Sequence, residues 1–449
     1  MVEKILSVFN LKRGEGVLVF SLWLLLAVNM MVMELSDVVA TAGFVDTLGV
    51  EQLPWLWLVT TLLTLIAASG YSVLVDRSSR LSLVSWLLFI LAAFYLGLRF
   101  LFQADAPQWL SYPGLSIISD QQYYIIPLAF WALANDTFAL SDGKRIFPLI
   151  ASGAVIGGIA GNSLAGVSAR ILEQVSAKPS EIFLLASILL LFGLIILRFT
   201  YFGRQIRARQ SRDEKSGLLD SFKVGMDYFG SIPMLKMVAI FMTFSGVALA
   251  MLEYHFLRLI EGSTGTTLEF QQFLGYYKTA QTIGLLIFQW LITGRLLGRA
   301  SLKNVLIFLP ITLVGSLGIA IAVTGLMGVG VGRFFARLVQ RGWDEPARKT
   351  LQGLIPDERR GRVAIFMDTT FYNSATILSS LILGLLAFLW KKEVVSEEVY
   401  YNIYLGIGIF AALGAVWASF MMRKVYETSL LDWRFSRSKR KSVLDNIEF

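Results

Sequence analysis

Long apolar segments fill most of this chain and constrain its fold more than any other feature. A bilayer core about 30 Å thick is crossed by roughly 20 apolar residues in a helix. The 449 residues are 55% hydrophobic, with a mean hydropathy of +0.64. The sequence therefore predicts an all-α membrane protein with twelve transmembrane helices. The predicted spans are 17–41, 53–75, 81–102, 123–141, 146–170, 181–202, 232–257, 270–293, 304–323, 326–343, 363–390 and 400–422.

Basic residues concentrate on one side of this predicted bundle. The connections 45–53 and 103–122 contain acids but no Lys or Arg. Cytoplasmic loops carry the excess of Lys and Arg, so both termini are predicted to be cytoplasmic in a multi-pass protein of the cell inner membrane. The basic segments are 76–80, 142–145, 203–215, 294–303, 341–362 and the tail after Arg423.

The formal charge of +8 has a simple explanation in this topology. Basic residues at membrane-facing ends orient the protein and contact anionic lipid. The bilayer is therefore the expected partner, and no nucleic acid is expected.

The longest polar break divides the predicted spans into two groups of six. The resulting boundaries are an N-terminal bundle over 1–202, a cytoplasmic linker over 203–231, a C-terminal bundle over 232–424 and a basic cytoplasmic tail over 425–449. Glu34 and Glu253 occupy matching places near the ends of the first and seventh spans. Two parallel six-helix halves are the architecture of major facilitator transporters, which hold substrate near the bilayer midplane. We expect such a carrier to function as a monomer.

The amino-acid composition gives little support for an enzyme. The chain has no cysteine and a single histidine, His255, so thiolate sites are excluded and a zinc site is not expected. No nucleophile with its base and no soluble phosphate-cradling loop is recognised. We predict no catalytic residues, no metal and no cofactor.

Three arginines follow one another at four-residue spacing in the tenth predicted span: Arg333, Arg337 and Arg341. At about 3.6 residues per turn they share one helix face, with Arg333 roughly 12 Å deeper than Arg341. A charge at membrane depth costs about 2.5–3.5 kcal/mol, so such residues face protein or a cavity. Guanidinium groups pair well with phosphate and carboxylate oxygens. Arg333 and Arg337, with Lys278 of the eighth span, are therefore the predicted anion-binding cations.

Acids and amides at membrane depth complete the predicted site. The acids are predicted to act in gating or coupling, and the competing interpretation is that they form internal ion pairs with the deep cations. Those acids are Glu34, Asp37, Glu253 and Asp368. The residues predicted to orient the ligand are Asn135, Asp136 and Asn373. Interhelical hydrogen bonding is the alternative role of the two asparagines, and an internal ion pair is the alternative role of Asp136.

Small residues recur at every fourth position of the fifth span, at Gly153, Gly157, Gly161 and Ala165. This spacing places them in one stripe and predicts close approach of a neighbouring helix.

Two segments resemble the ATP/ADP antiporter (nucleotide transporter) family. One is Phe130-Trp131-Ala132-Leu133-Ala134-Asn135-Asp136 followed by Lys144-Arg145-Ile146-Phe147-Pro148-Leu149. The other runs from Trp343-Asp344-Glu345-Pro346 through Ile355-Pro356 to Arg359-Arg360-Gly361-Arg362 and Asp368. The resemblance implies a divergent bacterial relative with the major facilitator architecture, in which Asp136 matches an acidic position of the family.

The predicted function is secondary transport of an organic anion by alternating access and exchange. A nucleotide or phosphorylated metabolite is the favoured substrate class. A proton-coupled carrier of a cationic or amphiphilic compound is the alternative within transport. A non-transporting membrane scaffold or lipid-handling protein is the alternative outside it.

Overall fold

The structure, a computed structural model, is helical throughout the part it describes and contains no strand there. The described residues are 12, 15–77, 79–104, 106–138, 140–175, 181–202, 233–293, 302–323, 325–352 and 357–444. In the first part of the chain the helices are α1 (Gly16–Leu48), α2 (Leu53–Arg77), α3 (Arg80–Gln103), α4 (Gln108–Thr137), α5 (Leu140–Val175) and α6 (Glu181–Thr200). They are followed by α7 (Pro233–Ser263), α8 (Thr267–Phe288), α9 (Leu302–Val305), α10 (Phe308–Ala322), α11 (Leu326–Val339), α12 (Glu345–Gln352), α13 (Asp357–Lys391) and α14 (Glu397–Leu444).

Eight helices in the described ranges are long and apolar enough to cross a membrane. The prediction of an all-α membrane protein is therefore confirmed, whereas a count of twelve membrane spans is not. The predicted spans missing from the eight correspond to α4, α8, α10 and α11. Helices α10 and α11 have only 15 and 14 residues, and α4 and α8 contain polar and charged side chains.

One predicted outer loop is wrong. Residues 108–122 form the first half of α4 instead of a connection. Their apolarity is interrupted by serine, aspartate and glutamine, which hid the helix from hydropathy. Inside the helix the Ser119 hydroxyl donates to the Leu115 carbonyl at 3.0 Å, and the fully buried Gln122 bonds to Asn29 and Tyr95. Because these polar groups are paired internally, they are compatible with a buried helix.

The C-terminal helix is longer than its predicted span of 400–422. Helix α14 continues to Leu444, so the predicted basic tail is helical over most of its length. At 1.5 Å per residue, its 48 residues extend well beyond the thickness of a bilayer core.

The chain forms two compact units. Unit 1 comprises residues 1–213 and 260–283, and unit 2 comprises 214–259 and 284–449. The end of α7 and most of α8 therefore group with the first unit. The domain boundaries drawn from the sequence remain predictions.

Helix α1 is the centre of unit 1, where it packs against α4, α5 and α6. The small-residue stripe of α5 permits the closest of these contacts. A Cβ atom added at Gly157 would lie 2.0 Å from the Ala27 carbonyl oxygen of α1. At Gly153 and Gly161 the corresponding distances to α1 carbonyl oxygens are 2.4 and 2.3 Å. The predicted close approach is confirmed, since only glycine leaves room for the backbone of the partner helix.

In unit 2, α10 packs against α11 and α14. The Ser316 hydroxyl donates to the Gly332 carbonyl at 2.8 Å, which fixes α10 against α11. Helix α11 ends in a π-helical turn over Gln340–Asp344, and the Trp343 indole anchors this turn by donating to the Val305 carbonyl at 2.8 Å. The regular helical spacing of the arginines therefore extends from Arg333 to Arg337, and the exposed Arg341 lies in the turn beyond.

We expect Gly157→Ala to destabilise the protein, because the added methyl group would strike a backbone carbonyl that no side-chain rotation can move. Overpacking of this kind costs about 1–3 kcal/mol. Gly97→Ala is the matched control, since no atom lies within 4 Å of the added Cβ in α3. Thermal unfolding in detergent should show a lower midpoint for Gly157→Ala only. Equal midpoints for the two variants would contradict the packing role of the stripe.

Candidate functional site

Three charged residues from α7 and α11 meet in unit 2. Helix α7 supplies Glu253, and α11 supplies Arg333 and Arg337 one turn apart. The Arg333 Nε donates to Glu253 Oε2 at 2.8 Å and its Nη2 to Oε1 at 2.6 Å, which is a bidentate pair. Arg337 Nη2 also donates to Glu253 Oε2, at 2.9 Å. A single carboxylate therefore accepts from two guanidinium groups.

The side chains of this unit 2 triad (Glu253, Arg333 and Arg337) differ in their exposure to solvent. The Arg333 side chain is 5% exposed, Glu253 18% and Arg337 24%. The Phe256 ring lies 4.5 Å from the Arg333 guanidinium carbon and adds a cation–π contact. With all three groups ionised the triad carries a net charge of +1. Arg337 is the member most accessible to an incoming group.

Unit 1 contains a triad of the opposite sign. Lys278 of α8 forms ion pairs with Glu34, at 3.5 Å, and with Asp37, both on α1. Helix α8 is held there by α5, where the Gln271 amide donates to the Ala165 carbonyl at 2.8 Å. The unit 1 triad (Glu34, Asp37 and Lys278) has a net charge of −1 when all members are ionised.

Asp120 is a site residue that the sequence interpretation missed. It lies on α4 close enough to Asp37 and Lys278 to interact with them electrostatically. Its neighbour Gln121 donates to the Thr64 hydroxyl at 3.1 Å. The residue was placed in an outer loop because the polar run around it lowers local hydropathy. A helical continuation of the fourth span would have placed it on a buried helix.

The structure distributes the other predicted residues over separate places. Asn135 and Asp136 lie in the last turn of α4, where Asn135 is exposed and Asp136 is 3.7 Å from the Arg80 side chain. Asn373 is half-buried on α13. The side chain of Asp368 is outside the described part of the structure. A role for these residues in orienting or gating a ligand stays a prediction.

The competing interpretation of the deep charges, internal ion pairing, is observed in both triads. Two predicted gating acids hold the predicted binding cation Lys278, and a third holds Arg333 and Arg337. Lys278 and the two arginines belong to different units. Pairing does not remove the binding interpretation, because two cations share one acid in unit 2.

Unit 2 contains another buried charge cluster, at the junction between the π-helical turn that follows α11 and the start of α12. Arg348 Nε donates to Asp344 Oδ2 at 2.8 Å, and the Asp344 side chain is completely buried. The Tyr372 ring lies 5.0 Å from the Arg348 guanidinium carbon. The pair ties this helical turn to α13 and belongs to the resembling segment that begins at Trp343.

Aromatic residues surround another arginine in unit 2. The guanidinium carbon of Arg258 lies 4.7 Å from the Trp390 ring centroid and 4.5 Å from that of Tyr401. Arg258 Nη2 also donates to Glu397 at 3.0 Å. The neighbouring His255 shares a 2.6 Å hydrogen bond with the Tyr404 hydroxyl. These contacts fasten α7 to α14.

Outside the predicted spans, an ion-pair network joins the start of α1 to the start of α5. Arg145 donates to both carboxylate oxygens of Glu15, at 2.9 and 3.0 Å, and this pairing lowers the pKa of Glu15. Lys12 and Arg145 likewise lower the pKa of Asp142. Both carboxylates are therefore ionised at neutral pH and hold the two helix starts together.

No group of three or more His, Cys, Asp or Glu is arranged to hold a metal ion in the part of the chain that the structure describes. The charged clusters are instead ion pairs. Side chains that form such ion pairs can also bind the charged groups of a ligand.

The family model described as TLC ATP/ADP transporter matches residues 116–330. The match includes the resembling segment that starts at Phe130 and ends before the one that starts at Trp343. It also includes Asp120, Glu253 and Lys278, whereas Arg333 and Arg337 lie just beyond its end. No curated protein sequence is significantly similar to the chain.

Solved structures of transporters share the fold. The crystal structure of nucleoside transporter NupG is 12% identical and has a TM-score of 0.64, with 91% of this chain and 99% of that chain covered. A bacterial homolog of the human lysosomal transporter Spinster, in an inward-facing and unoccupied conformation, is 14% identical with a TM-score of 0.62, over 94% of this chain and 98% of that one. A bacterial homologue of the iron transporter ferroportin, in an inward-facing state, is 16% identical with a TM-score of 0.58, over 90% and 98%.

These identities establish the fold alone, which is that of major facilitator-type transporters. The resemblance stated from the sequence motifs is confirmed through the family match. The chain is therefore a membrane protein of transporter fold that the TLC ATP/ADP transporter family matches over residues 116–330.

Proposed function

We propose that the protein is a secondary transporter that exchanges organic anions across the membrane by alternating access. The unit 2 triad carries this proposal, because two arginines at membrane depth share a single acid. The excess positive charge attracts an anion, and the guanidinium fork matches the oxygens of phosphate and carboxylate groups. Arg337, the most exposed member, makes the first contact with substrate in this scheme.

The family match supports a nucleotide or phosphorylated metabolite as substrate. Such compounds carry several oxyanions, which suit a site with a net positive charge. Exchange follows from the same chemistry, since the site favours an anion in both directions of transport. Nothing in the scheme requires an enzymatic step.

The proposal includes the membrane topology. Twelve spans would place both termini and the linker 203–231 in the cytoplasm, with α4, α8, α10 and α11 crossing despite their lower apolarity or length. Protein neighbours compensate for such sequences, because polar groups that face a bundle interior are not exposed to lipid.

A proton-coupled carrier of a cationic compound is the second candidate. The observation in its favour is the unit 1 triad, where Glu34 and Asp37 share one lysine and Asp120 interacts with them. Carboxylates at membrane depth can bind a cation or take up a proton. The two candidates differ in what drives uptake.

Exchange should be measurable in proteoliposomes. We expect saturable uptake of labelled ATP, ADP or a phosphorylated metabolite only when the vesicles contain an anionic counter-substrate. Arg337→Gln should weaken the apparent affinity about 10- to 100-fold, the effect of losing one charged hydrogen bond worth about 1.5–3 kcal/mol. Arg99→Gln is the matched control, because Arg99 belongs to unit 1 and pairs with Glu181 near the end of α3. Normal exchange by Arg337→Gln would remove this residue from the site.

Proton coupling is tested by imposing a pH gradient on vesicles that contain no counter-substrate. Under the anion-exchange proposal this gradient alone produces no uptake, and Asp37→Asn does not create any. Gradient-driven uptake of a cationic compound that disappears in Asp37→Asn would establish the second candidate instead.

The membrane topology can be tested by labelling introduced cysteines, because the chain itself contains no cysteine. In intact cells we expect a membrane-impermeant maleimide to label Gln52→Cys, whereas Ser216→Cys should react only after permeabilisation. The unmodified protein is the blank. Labelling of Ser216→Cys in intact cells would reverse the proposed orientation.

A further inference from the structure

We propose that the Glu253 carboxylate is an internal substitute for a phosphate ligand, which binds unit 2 by displacing it from the arginines. This inference rests on the proposed function and adds a mechanism to it. It assigns Glu253 as a competitor of substrate, in addition to its structural role in joining α7 to α11.

The contacts of Glu253 are those that an oxyanion ligand would make. Three N–H groups point at its two oxygens, over distances of 2.6–2.9 Å. A fourth donor, Arg337 Nη1, is directed to the Gln340 amide oxygen at 2.9 Å. A tetrahedral phosphate offers more acceptor oxygens than a carboxylate and can satisfy the same donors.

Arg333 is held in place independently of the carboxylate. The Phe256 ring covers its guanidinium group at 4.5 Å, and the side chain is 5% exposed. Arg333 would therefore keep its orientation while the anion on its edge is replaced. Preorganised donors of this kind bind a ligand without a large ordering cost.

Charge and exposure favour entry from the Arg337 side. The triad keeps a net charge of +1 with the carboxylate in place, so it still attracts anions. Arg337 contributes one of the three contacts and is the most exposed member, at 24%. Displacement would thus begin with the single Arg337 contact and proceed to the bidentate Arg333 pair.

Competition of this type determines how the apparent affinity for phosphate depends on Glu253. The apparent affinity for phosphate is the intrinsic affinity reduced by the fraction of protein in which the carboxylate has left the arginines. Removing the competitor therefore strengthens binding. A shorter carboxylate should strengthen it partly, since it cannot reach both arginines at once.

The test measures binding of inorganic phosphate to the purified full-length protein in detergent, by calorimetry and thermal shift, with chloride as the reference anion. We expect Glu253→Gln to lower the dissociation constant at least tenfold. Glu253→Asp should give an intermediate gain, although it retains the negative charge. Arg337→Gln added to Glu253→Gln should abolish the gain. Glu397→Gln is the matched control, because it neutralises another acid of unit 2 that pairs with an arginine.

Unchanged or weaker phosphate binding by both Glu253 variants would overturn the inference. If Glu253→Gln fails to fold, Glu253→Asp decides the question by the same criterion. A gain for Glu253→Gln with none for Glu253→Asp would indicate a simple charge effect and would also overturn it. Stabilisation by phosphatidylglycerol micelles and not by inorganic phosphate would assign the arginines to a lipid headgroup and likewise reject the proposal.

The outcome is independent of the exchange measurements. Stronger phosphate binding in both Glu253 variants, without any exchange by the native protein, would refute the proposed function and leave the competition mechanism intact. Exchange by the native protein with unaltered phosphate binding in the variants would do the reverse.

Discussion

The pairing of charges at membrane depth is the constraint on which the rest of this structure depends. An unpaired charge there is costly, and breaking a buried pair by removing one partner is strongly destabilising. Each unit contains one triad of charged residues, and unit 2 also contains the buried pair of Arg348 with Asp344. Each triad joins helices that are distant in sequence, so the ionic contacts also determine which helices are neighbours. Lys278 links α8 to α1, and Glu253 links α7 to α11.

Three charges cannot neutralise one another, and this imbalance connects the architecture with function. Glu34 and Asp37 exceed Lys278 by one negative charge, and Arg333 and Arg337 exceed Glu253 by one positive charge. A residual charge inside an apolar bundle favours binding of a counter-ion from outside. A protein selected only for stability gains little from such an arrangement, because apolar residues of similar volume often replace buried ion pairs without loss. The triads therefore fit a transport role better than a purely structural one.

Apolarity and function are distributed over different helices. Helices α1 and α7 are exceptions, since both are strongly apolar yet contribute Glu34, Asp37 and Glu253. The helices α4, α8 and α11 contain Asp120, Lys278 and the arginines, and none of them is among the helices both long and apolar enough to cross a membrane. Close backbone contact with a neighbouring helix is seen for α8, where a Cβ atom added at Gly275 would lie 2.6 Å from the backbone nitrogen of Gly166 on α5.

The sequence by itself determined the class of the protein and most helix positions, and it singled out the charged residues that meet in the two triads. Apolar runs of about 20 residues leave few alternatives to a membrane helix, and deep charges are conspicuous against that background. It also indicated the family, through the segment that begins at Phe130 and lies within the family match. The sequence did not reveal that α4 begins at Gln108, because hydropathy counts Ser119 and Gln122 as exposed polar groups, whereas internal hydrogen bonds satisfy them. Only the tertiary structure decided which acid neutralises which cation. Lys278, which the sequence grouped with the arginines, pairs with Glu34 and Asp37 in unit 1. Ion pairing depends on distances between helices far apart in the chain, and the spacing of residues along a single helix contains no information about those distances.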